Sequence, residues 1–485
     1  MAKTGMKAEE YVKYDGIGLA ELIKKGEVSL SEVTEAATAA INATNPEILA
    51  VVENWEGVTP AEARKDSLLY GVPFLIKDLG VVMNGKKNEL GSKLAEGFTP
   101  DFDSTLMTHF KHAGLVTLGR TATPEFAIST TTEARAFGPS RNPWNTDYNC
   151  GGSTGGSASA VAAGMVPLSH ATDGGGSIRV PASVNGIFGL KPTRGRVSNG
   201  PHLDEVWSGL VSQLGVSRTV RDSAAMLDAI SVPGVGEPYY TAPPAESFLT
   251  SVGRDPKPLR IGLMMDPANG AKTCAVVAES VARTARLLED LGHQVEAVKF
   301  DLGVSWEAFV HANAQFWTLN TASWVELIAE LTGRPINADT LEQATLVVHE
   351  YGKNVSGMDV LGALGTRNRV SRSLGAYFQN FDILMTPTMP ELPLKIGEYN
   401  KVQSQVDGLG WIEHVFRQSP FTALANLTGV PSMSVPSGYD KQTQLPIGAM
   451  YTAQFGDDSA LFSLAGQIER AAPWNTRTPK VWAGR

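Results

Sequence analysis

The sequence predicts a layered α/β protein, and two stretches carry that expectation. Val72-Pro73-Phe74-Leu75-Ile76 reads as a short buried strand, with a helix near 104–113 and a second strand at Val116–Leu118 after it. Ile261–Met264 reads as another strand; Val277, Val281, Leu288 and Leu291 then share one helical face closed by Gly292, before a strand at Val295–Phe300. Strand, helix, strand, met twice, is the pattern of helices laid on a sheet. The chain has 485 residues, 42% of them apolar, which is enough for one large domain or two to four ordinary ones with a sizeable core.

The remaining elements follow in order. Leu19, Leu22, Ile23, Val33, Ala36 and Ile41 mark two helices over 17–44, and Ser29 and Ser31 offer N-caps for the second. Residues 138–200 are rich in Gly, Ser and Pro yet hold an Ala/Val helix at 156–164, so the small residues point to close backbone approach. Six prolines between Val232 and Leu259 make a long irregular connection, the best candidate for a subdomain boundary. Residues 305–375 are helical in pattern, and 382–485 returns to short strands and turns around Pro387, Gly429-Val430-Pro431 and Pro446-Ile447-Gly448. No internal repeat or low-complexity tract interrupts this order.

Charge and composition narrow the function classes. With 41 basic and 50 acidic residues the net charge is -9, which repels phosphate backbones and anionic headgroups, so neither nucleic acid nor membrane is expected as the main partner. The opening MAKTGMKAEEYVKYDG has no apolar segment after its lysines, and no run of about eighteen apolar residues occurs, so neither a cleaved signal nor a membrane span is expected. The two cysteines, Cys150 and Cys274, lie in no metal-ligand spacing; they predict no disulfide framework, no zinc site and a reducing cytoplasmic setting.

The most informative short string is Gly151-Gly152-Ser153-Thr154-Gly155-Gly156-Ser157. A phosphate-cradling loop needs a Lys after its last glycine, and none follows Gly156. Gly151, Ser153 and Gly155 do satisfy G-x-S-x-G, which would make Ser153 a nucleophile on a strand-to-helix elbow. The preceding Arg141-Asn142-Pro143-Trp144-Asn145-Thr146-Asp147-Tyr148-Asn149 reads as loop, however, and none of the eight histidines sits in a motif marking a triad base. Alone, the string fits an inert Gly/Ser turn equally well.

It is accompanied by Gly71-Val72-Pro73-Phe74-Leu75-Ile76-Lys77-Asp78 upstream and Asp173-Gly174-Gly175-Gly176-Ser177-Ile178-Arg179 downstream. With these the chain resembles the amidase signature family. The resemblance extends through Arg141-Asn142-Pro143-Trp144, Gly189-Leu190-Lys191-Pro192-Thr193, Asn426-Leu427-Thr428-Gly429-Val430-Pro431 and Leu445-Pro446-Ile447-Gly448, almost the whole length. It implies a single large α/β domain with a mixed central sheet covered by helices on both faces, and an amidase that needs no cofactor or metal. It also implies that Ser177 is the nucleophile, that Ser153 follows a non-proline cis peptide and relays a proton, and that Lys77 is the base.

That assignment is physically coherent. A serine hydroxyl is a weak nucleophile until a base takes its proton, and a lysine serves as base only when burial keeps it neutral. Lys77, at the end of an apolar strand, suits this better than the alternative of a surface lysine paired with Asp78. The backbone N–H groups of Gly174, Gly175, Gly176 and Ser177 would hold the oxyanion, where losing one donor costs about 3 to 4 kcal/mol. Asp173 and Arg179 would brace the loop by charge-assisted hydrogen bonds, and Lys191 would be architectural. Gly174 departs from the family, which more often carries a side chain there; that would loosen the loop. Cys150 reads as a packing residue, since nothing cationic nearby would stabilise its thiolate.

On this resemblance the chain divides into a helical lead-in (1–65), a core carrying the Lys/Ser/Ser motifs (66–232), the proline-rich connection (233–259), a βαβ unit with a helical substrate side (260–375) and the C-terminal part of the same domain (376–485). Phe309, Phe316, Trp317 and Trp324 form an aromatic helix, and Gly408-Leu409-Gly410-Trp411 reads as a lid with glycine hinges. Phe316, Trp317 and Trp411 are the candidate substrate contacts, with core packing as the plain alternative. The flanks Arg141–Asn145 and Ala471-Ala472-Pro473-Trp474 look like the branch of nylon-oligomer cyclic-dimer, aryl-acylamide and carbamate hydrolases. A stand-alone enzyme, possible as a homo-oligomer, acting on small-molecule amides, carbamates or esters is favoured. The competing readings are a glutamine-hydrolysing subunit of a tRNA-linked amidotransferase and a binding scaffold with a dead site.

Overall fold

An eleven-stranded mixed sheet runs through the centre of the protein, whose computed structural model describes residues 5–57, 60 and 62–485. Its strands are β1 (Val51–Asn54), β2 (Pro73–Lys77), β3 (Val116–Thr121), β6 (Leu168–Asp173), β7 (Phe188–Lys191), β8 (Ser212–Ser217), β9 (Arg260–Leu263), β10 (Gln294–Ala297), β11 (Ile383–Pro387), β12 (Ser432–Tyr439) and β13 (Pro446–Ala453). A separate small hairpin joins β4 (Glu133–Ala134) to β5 (Gly138–Pro139). The order across the sheet is β1-β3-β2-β6-β8-β7-β12-β13-β11-β9-β10. β2 lies parallel to both β3 and β6, and β6 runs antiparallel to β8. At the far side β9 is parallel to β10 and β11, and antiparallel β12 joins the halves through β7 and β13.

Every residue of β2, β3, β6, β8 and β13 is buried. Side chains alternate between faces along a strand, so unbroken burial requires cover on both. Two apolar cores provide it. One gathers Phe74, Ile76, Leu168, Val216 and Phe462; the other gathers Leu79, Phe126, Trp207, Phe316, Trp317 and Trp411. None of the described helices is long and apolar enough to cross a membrane.

Local chemistry explains the main boundaries. Ser29, not Ser31, caps the helix Leu30–Ile48: its Oγ accepts from Glu32 N at 3.2 Å while the Glu32 carboxylate accepts from Ser29 N at 2.8 Å. Ser31 lies inside the first turn and bonds to Glu35 instead. The N-terminal lead-in is not all helix, because Val51–Asn54 adds β1 at the sheet edge; positions 1–4, 58–59 and 61 of that lead-in lie outside the described residues. The sheet continues on either side of the proline-rich segment, which holds one short helix, Phe248–Val252, whose first N–H groups bond to Asp228.

The C-terminal part holds three helices besides its strands, Gly408–Gln418, Ala423–Thr428 and Asp458–Ala471. The sequence suggested a glycine-hinged lid at 408–411, but that stretch is the first turn of a packed helix. Asp407 caps it through Gly410 N at 2.8 Å, and a Cβ on Gly408 would sit 2.4 Å from Tyr351 Cβ. Close packing, rather than hinging, accounts for that glycine. β10 also stops at Ala297, short of the expected Phe300, because it is an exposed edge strand with one neighbour.

β2 ends against a buried ionic cluster. Arg120 on β3 donates to Asp78 at 2.7 Å and Glu53 at 2.8 Å, and also pairs with Glu89. Asp78 further accepts from Glu89 N and Gly91 N, which ties the turn after Lys77 in place. Burial pushes the Asp78 carboxyl up to about 6, against the pull of Arg120. Replacing Arg120 by Met leaves Asp78 and Glu89 buried without their cation, which typically costs about 3 to 5 kcal/mol. Urea denaturation should show that loss, while Arg64→Ala, at an exposed pair with Asp66, should leave the midpoint unchanged.

Candidate active site

Lys77 is the last residue of β2, and its side-chain nitrogen is buried among hydroxyls. Nζ lies 2.6 Å from Ser153 Oγ, 2.8 Å from Thr172 Oγ1 and 3.2 Å from Thr154 Oγ1. Among the described residues no carboxylate pairs with it, and Asp78 points to Arg120. Desolvation therefore drives the lysine well below its usual range, opposed only by the nearby charge of Asp173. Its own backbone N–H donates to His170 Nδ1 at 3.3 Å, and His170 Nε2 faces Gln213 Oε1 at 2.9 Å. Burial pushes His170 down to about 3, so that ring is neutral and serves as a strut between strands.

Ser153 follows a cis Gly152–Ser153 peptide and precedes the helix Gly155–Ala162. Thr154 fixes the turn to β6, its hydroxyl donating to Thr172 O at 3.2 Å. Ser177 sits in the loop between β6 and the helix Arg179–Asn185. Ser153 and Ser177 line the same cavity, along with Thr172 and Gly174.

The loop from Asp173 to Ser177 is held from below. Asp173 Oδ1 accepts from Gly176 N at 2.7 Å, Arg179 Nη2 at 2.9 Å and Asn426 Nδ2 at 2.8 Å, while Oδ2 accepts from Ile178 N at 3.1 Å and Arg179 Nε at 3.0 Å. Burial opposes ionisation, yet Arg179 and Asn426 outweigh it and hold the carboxyl at about 2. Asn426 also binds Arg179 and the Asp173 carbonyl, and Thr422 donates to Gly175 O at 2.5 Å. One expectation changes here: the Gly176 N–H is committed to Asp173, so it is not among the donors turned to the cavity. Gly176 has φ +135°, and a Cβ there would meet Thr422 at 2.5 Å, which explains the glycine.

The cavity is small, about 20 Å³, and its described lining is Leu79, Gly80, Ala127, Ser153, Thr172, Gly174, Ser177, Leu203, Val206, Trp207, Val211, Gln213 and Trp324. A larger cleft of about 720 Å³, between the N-terminal helices and the C-terminal segment, touches none of the three motif residues. Of the aromatic candidates, Trp324 reaches the cavity, whereas Phe316, Trp317 and Trp411 stand behind it, fully buried. Trp411 donates its indole N–H to Ile128 O at 2.8 Å, Phe316 lies under the Arg367 guanidinium, and Trp317 backs Gly175. Helical periodicity shows that aromatics share a face but not which layer they occupy.

Sequence reasoning missed Thr154, Thr172 and Trp207. Thr154 lies inside the quoted Gly/Ser string and Thr172 just before Asp173, but their aim at Lys77 requires the pairing of β2 with β6; nothing local marks Trp207. Lys191 is buried and donates to Pro192 O at 2.7 Å, with desolvation, helped by Arg179, lowering it to about 7. Cys150 is buried and its thiol is pushed up by desolvation, consistent with a packing role.

Comparison with known proteins agrees over nearly the whole chain. The 6-aminohexanoate-cyclic-dimer hydrolase of Paenarthrobacter ureafaciens is 33% identical over 487 residues, covering 96% of each chain. The solved structure of a 6-aminohexanoate cyclic dimer hydrolase complexed with substrate superposes with a TM-score of 0.90 at 31% identity, over 97% of this chain and 99% of that one. A bacterial aryl acylamidase of the amidase signature enzymes gives 0.82 at 25% identity, over 96% and 97%. The profile of the Amidase family matches residues 24–462, so the chain belongs to the amidase family and is a hydrolase of amide C–N bonds.

Proposed function

We propose that the protein hydrolyses apolar secondary amides through an acyl-enzyme on Ser177, with Ser153 passing the nucleophile's proton to Lys77. The observation that carries this reading is a fully buried lysine 2.6 Å from Ser153 Oγ, driven by desolvation well below its usual range, beside a cavity shared by both serines. A neutral amine has two hydrogens and one lone pair. Thr172 and Thr154 accept the hydrogens, which leaves the lone pair for the Ser153 hydroxyl hydrogen.

The steps balance as follows. Ser177 Oγ adds to the amide carbonyl carbon, its proton moves to Ser153 Oγ, and the Ser153 proton moves to Lys77 Nζ. Gly174, Gly175 and Ser177 N–H groups receive the oxyanion, held rigid by the Asp173–Arg179–Asn426 brace. Collapse breaks the C–N bond, and the amine leaves with a proton returned through the same relay. Water then attacks the acyl-enzyme by the reverse route, giving the acid and free Ser177.

Substrate class is read from the lining, which among the described residues contains no charged side chain. Apolar groups gain about 25 cal/mol per Å² on burial there, while the zwitterionic end of glutamine finds no counter-charge. The likeness to the cyclic-dimer hydrolase and the aryl acylamidase points the same way. Carbamates and esters with similar apolar flanks present the same carbonyl and fall within the proposal, as a urethanase-type activity. A stand-alone small-molecule enzyme, working in the cytoplasm, fits this chemistry better than a tRNA-linked assembly.

Three outcomes are expected. A fluorophosphonate probe should label Ser177, and Ser177→Ala should abolish label and turnover with an unchanged circular dichroism spectrum; label on Ser153 retained by that variant would overturn the assignment. Because only the deprotonated amine accepts a proton, kcat/KM should rise with pH through a midpoint well below the ordinary lysine range and stay unaffected by chelators. Lys77→Ala should lose about 10²- to 10⁴-fold and flatten the profile. Finally, an anilide or N-alkyl amide should exceed glutamine in kcat/KM; a preference for glutamine above about tenfold, roughly 1.4 kcal/mol, would favour the amidotransferase reading.

A further inference from the structure

Trp207 occupies a backbone position that no hydrolytic step requires. It and Ser208 are consecutive non-glycine residues in left-handed conformation, with φ +48° and +53°. Such residues cost on the order of 1 kcal/mol each and persist only where surroundings over-determine them. Here the surroundings do. Arg367 donates to Ser208 O at 3.1 Å, Asn320 to Ser208 Oγ at 3.2 Å, and Arg194 to Gly209 O at 2.5 Å. Arg194 also binds the carbonyl of Asn426 at 2.6 Å, so the turn is fastened to the residue that braces Asp173.

What this turn presents is a flat wall. The indole of Trp207 lines the cavity with Ser153 and Ser177 and packs against Trp317, with ring centroids 4.2 Å apart. It also fills the space a side chain at Gly174 would need: a Cβ there would lie 2.7 Å from Trp207 Cε3. Trp317 does the same at Gly175, where a Cβ would lie 2.5 Å from its ring. The glycine that departs from the expected pattern is thus paired with a tryptophan that replaces its missing side chain, and the loop is tightened rather than loosened. With about 20 Å³ of open volume, enough for about one water, the space beside the carbonyl site is narrow.

We infer that Trp207 is a specificity-determining residue that limits the width of the acyl group next to the reacting carbonyl. Acyl chains unbranched at the α-carbon pass along the indole; α-branched ones collide with it. This rests on the proposed reaction at Ser177, and the substrates are chosen to separate the two claims.

The experiment compares kcat/KM for hexananilide and 2,2-dimethylbutananilide, which have the same carbon count, in the wild type, Trp207→Ala, Trp207→Phe, Gly174→Ala and the Gly174→Ala/Trp207→Ala pair. The branched-to-straight ratio should rise at least tenfold in Trp207→Ala and by less in Trp207→Phe, which guards against misfolding of the larger truncation. Gly174→Ala should lower turnover of the straight substrate at least tenfold, because the new Cβ displaces the indole. The double variant should recover most of that loss. An unchanged ratio in both Trp207 variants, or a Gly174→Ala loss that the second substitution does not relieve, overturns the inference. A fluorophosphonate adduct on Ser153 together with the raised ratio would overturn the nucleophile and leave the width claim standing.

Discussion

The burial of Lys77 without a counter-ion is the constraint on which the rest of the site depends. An ammonium in that place would be desolvated, and burial drives the lysine well below its usual range. Asp173, whose charge opposes that shift, has its charge taken up by Arg179 and its lone pairs by Asn426 and backbone N–H groups. One ionic cluster thus serves two ends: it shapes the glycine loop and it turns the Asp173 charge toward Arg179. Arg120 plays the matching part on the other side, holding Asp78 away from its neighbour in sequence.

These requirements explain the topology around the site. Lys77 ends β2, Thr172 and Asp173 end β6, and the two strands lie side by side in parallel. Parallel neighbours bring their C-terminal ends to one edge, where the Gly/Ser turn and the start of the next helix deliver Ser153 and Ser177. Serines brought inside beside these strands find partners: Ser157 bonds to His170 O at 2.8 Å and Ser169 to Leu75 O at 2.9 Å. Hydrogen bonds of this kind make a polar interior tolerable.

That polarity also limits what can be read from sequence. β2 was legible because an apolar run ends abruptly in Lys77, and the βαβ unit at 260–297 because its helix has one apolar face. β6, the strand that completes the site, reads Leu-Ser-His-Ala-Thr-Asp and shows no apolar run or alternation, since its side chains are satisfied by partners far along the chain. The motif serines and lysine were legible through family resemblance, and the Asp173–Arg179 brace through their charges. The layer occupied by Phe316, Trp317 and Trp411, the diversion of the Gly176 N–H to Asp173, and the fit of Trp207 over Gly174 were not. Each depends on contacts between segments tens to hundreds of residues apart.

The proposed chemistry turns on the charge of one side chain, and that charge can be observed without turnover. In Ser177→Ala protein with isotope-labelled lysines, an NMR pH titration, with Lys77→Arg used to assign the signal, reports the ionisation of Nζ. The expected result is one lysine whose midpoint lies well below the ordinary range and apart from all exposed lysines. A Lys77 signal that titrates with the exposed lysines, in their ordinary range, would contradict it.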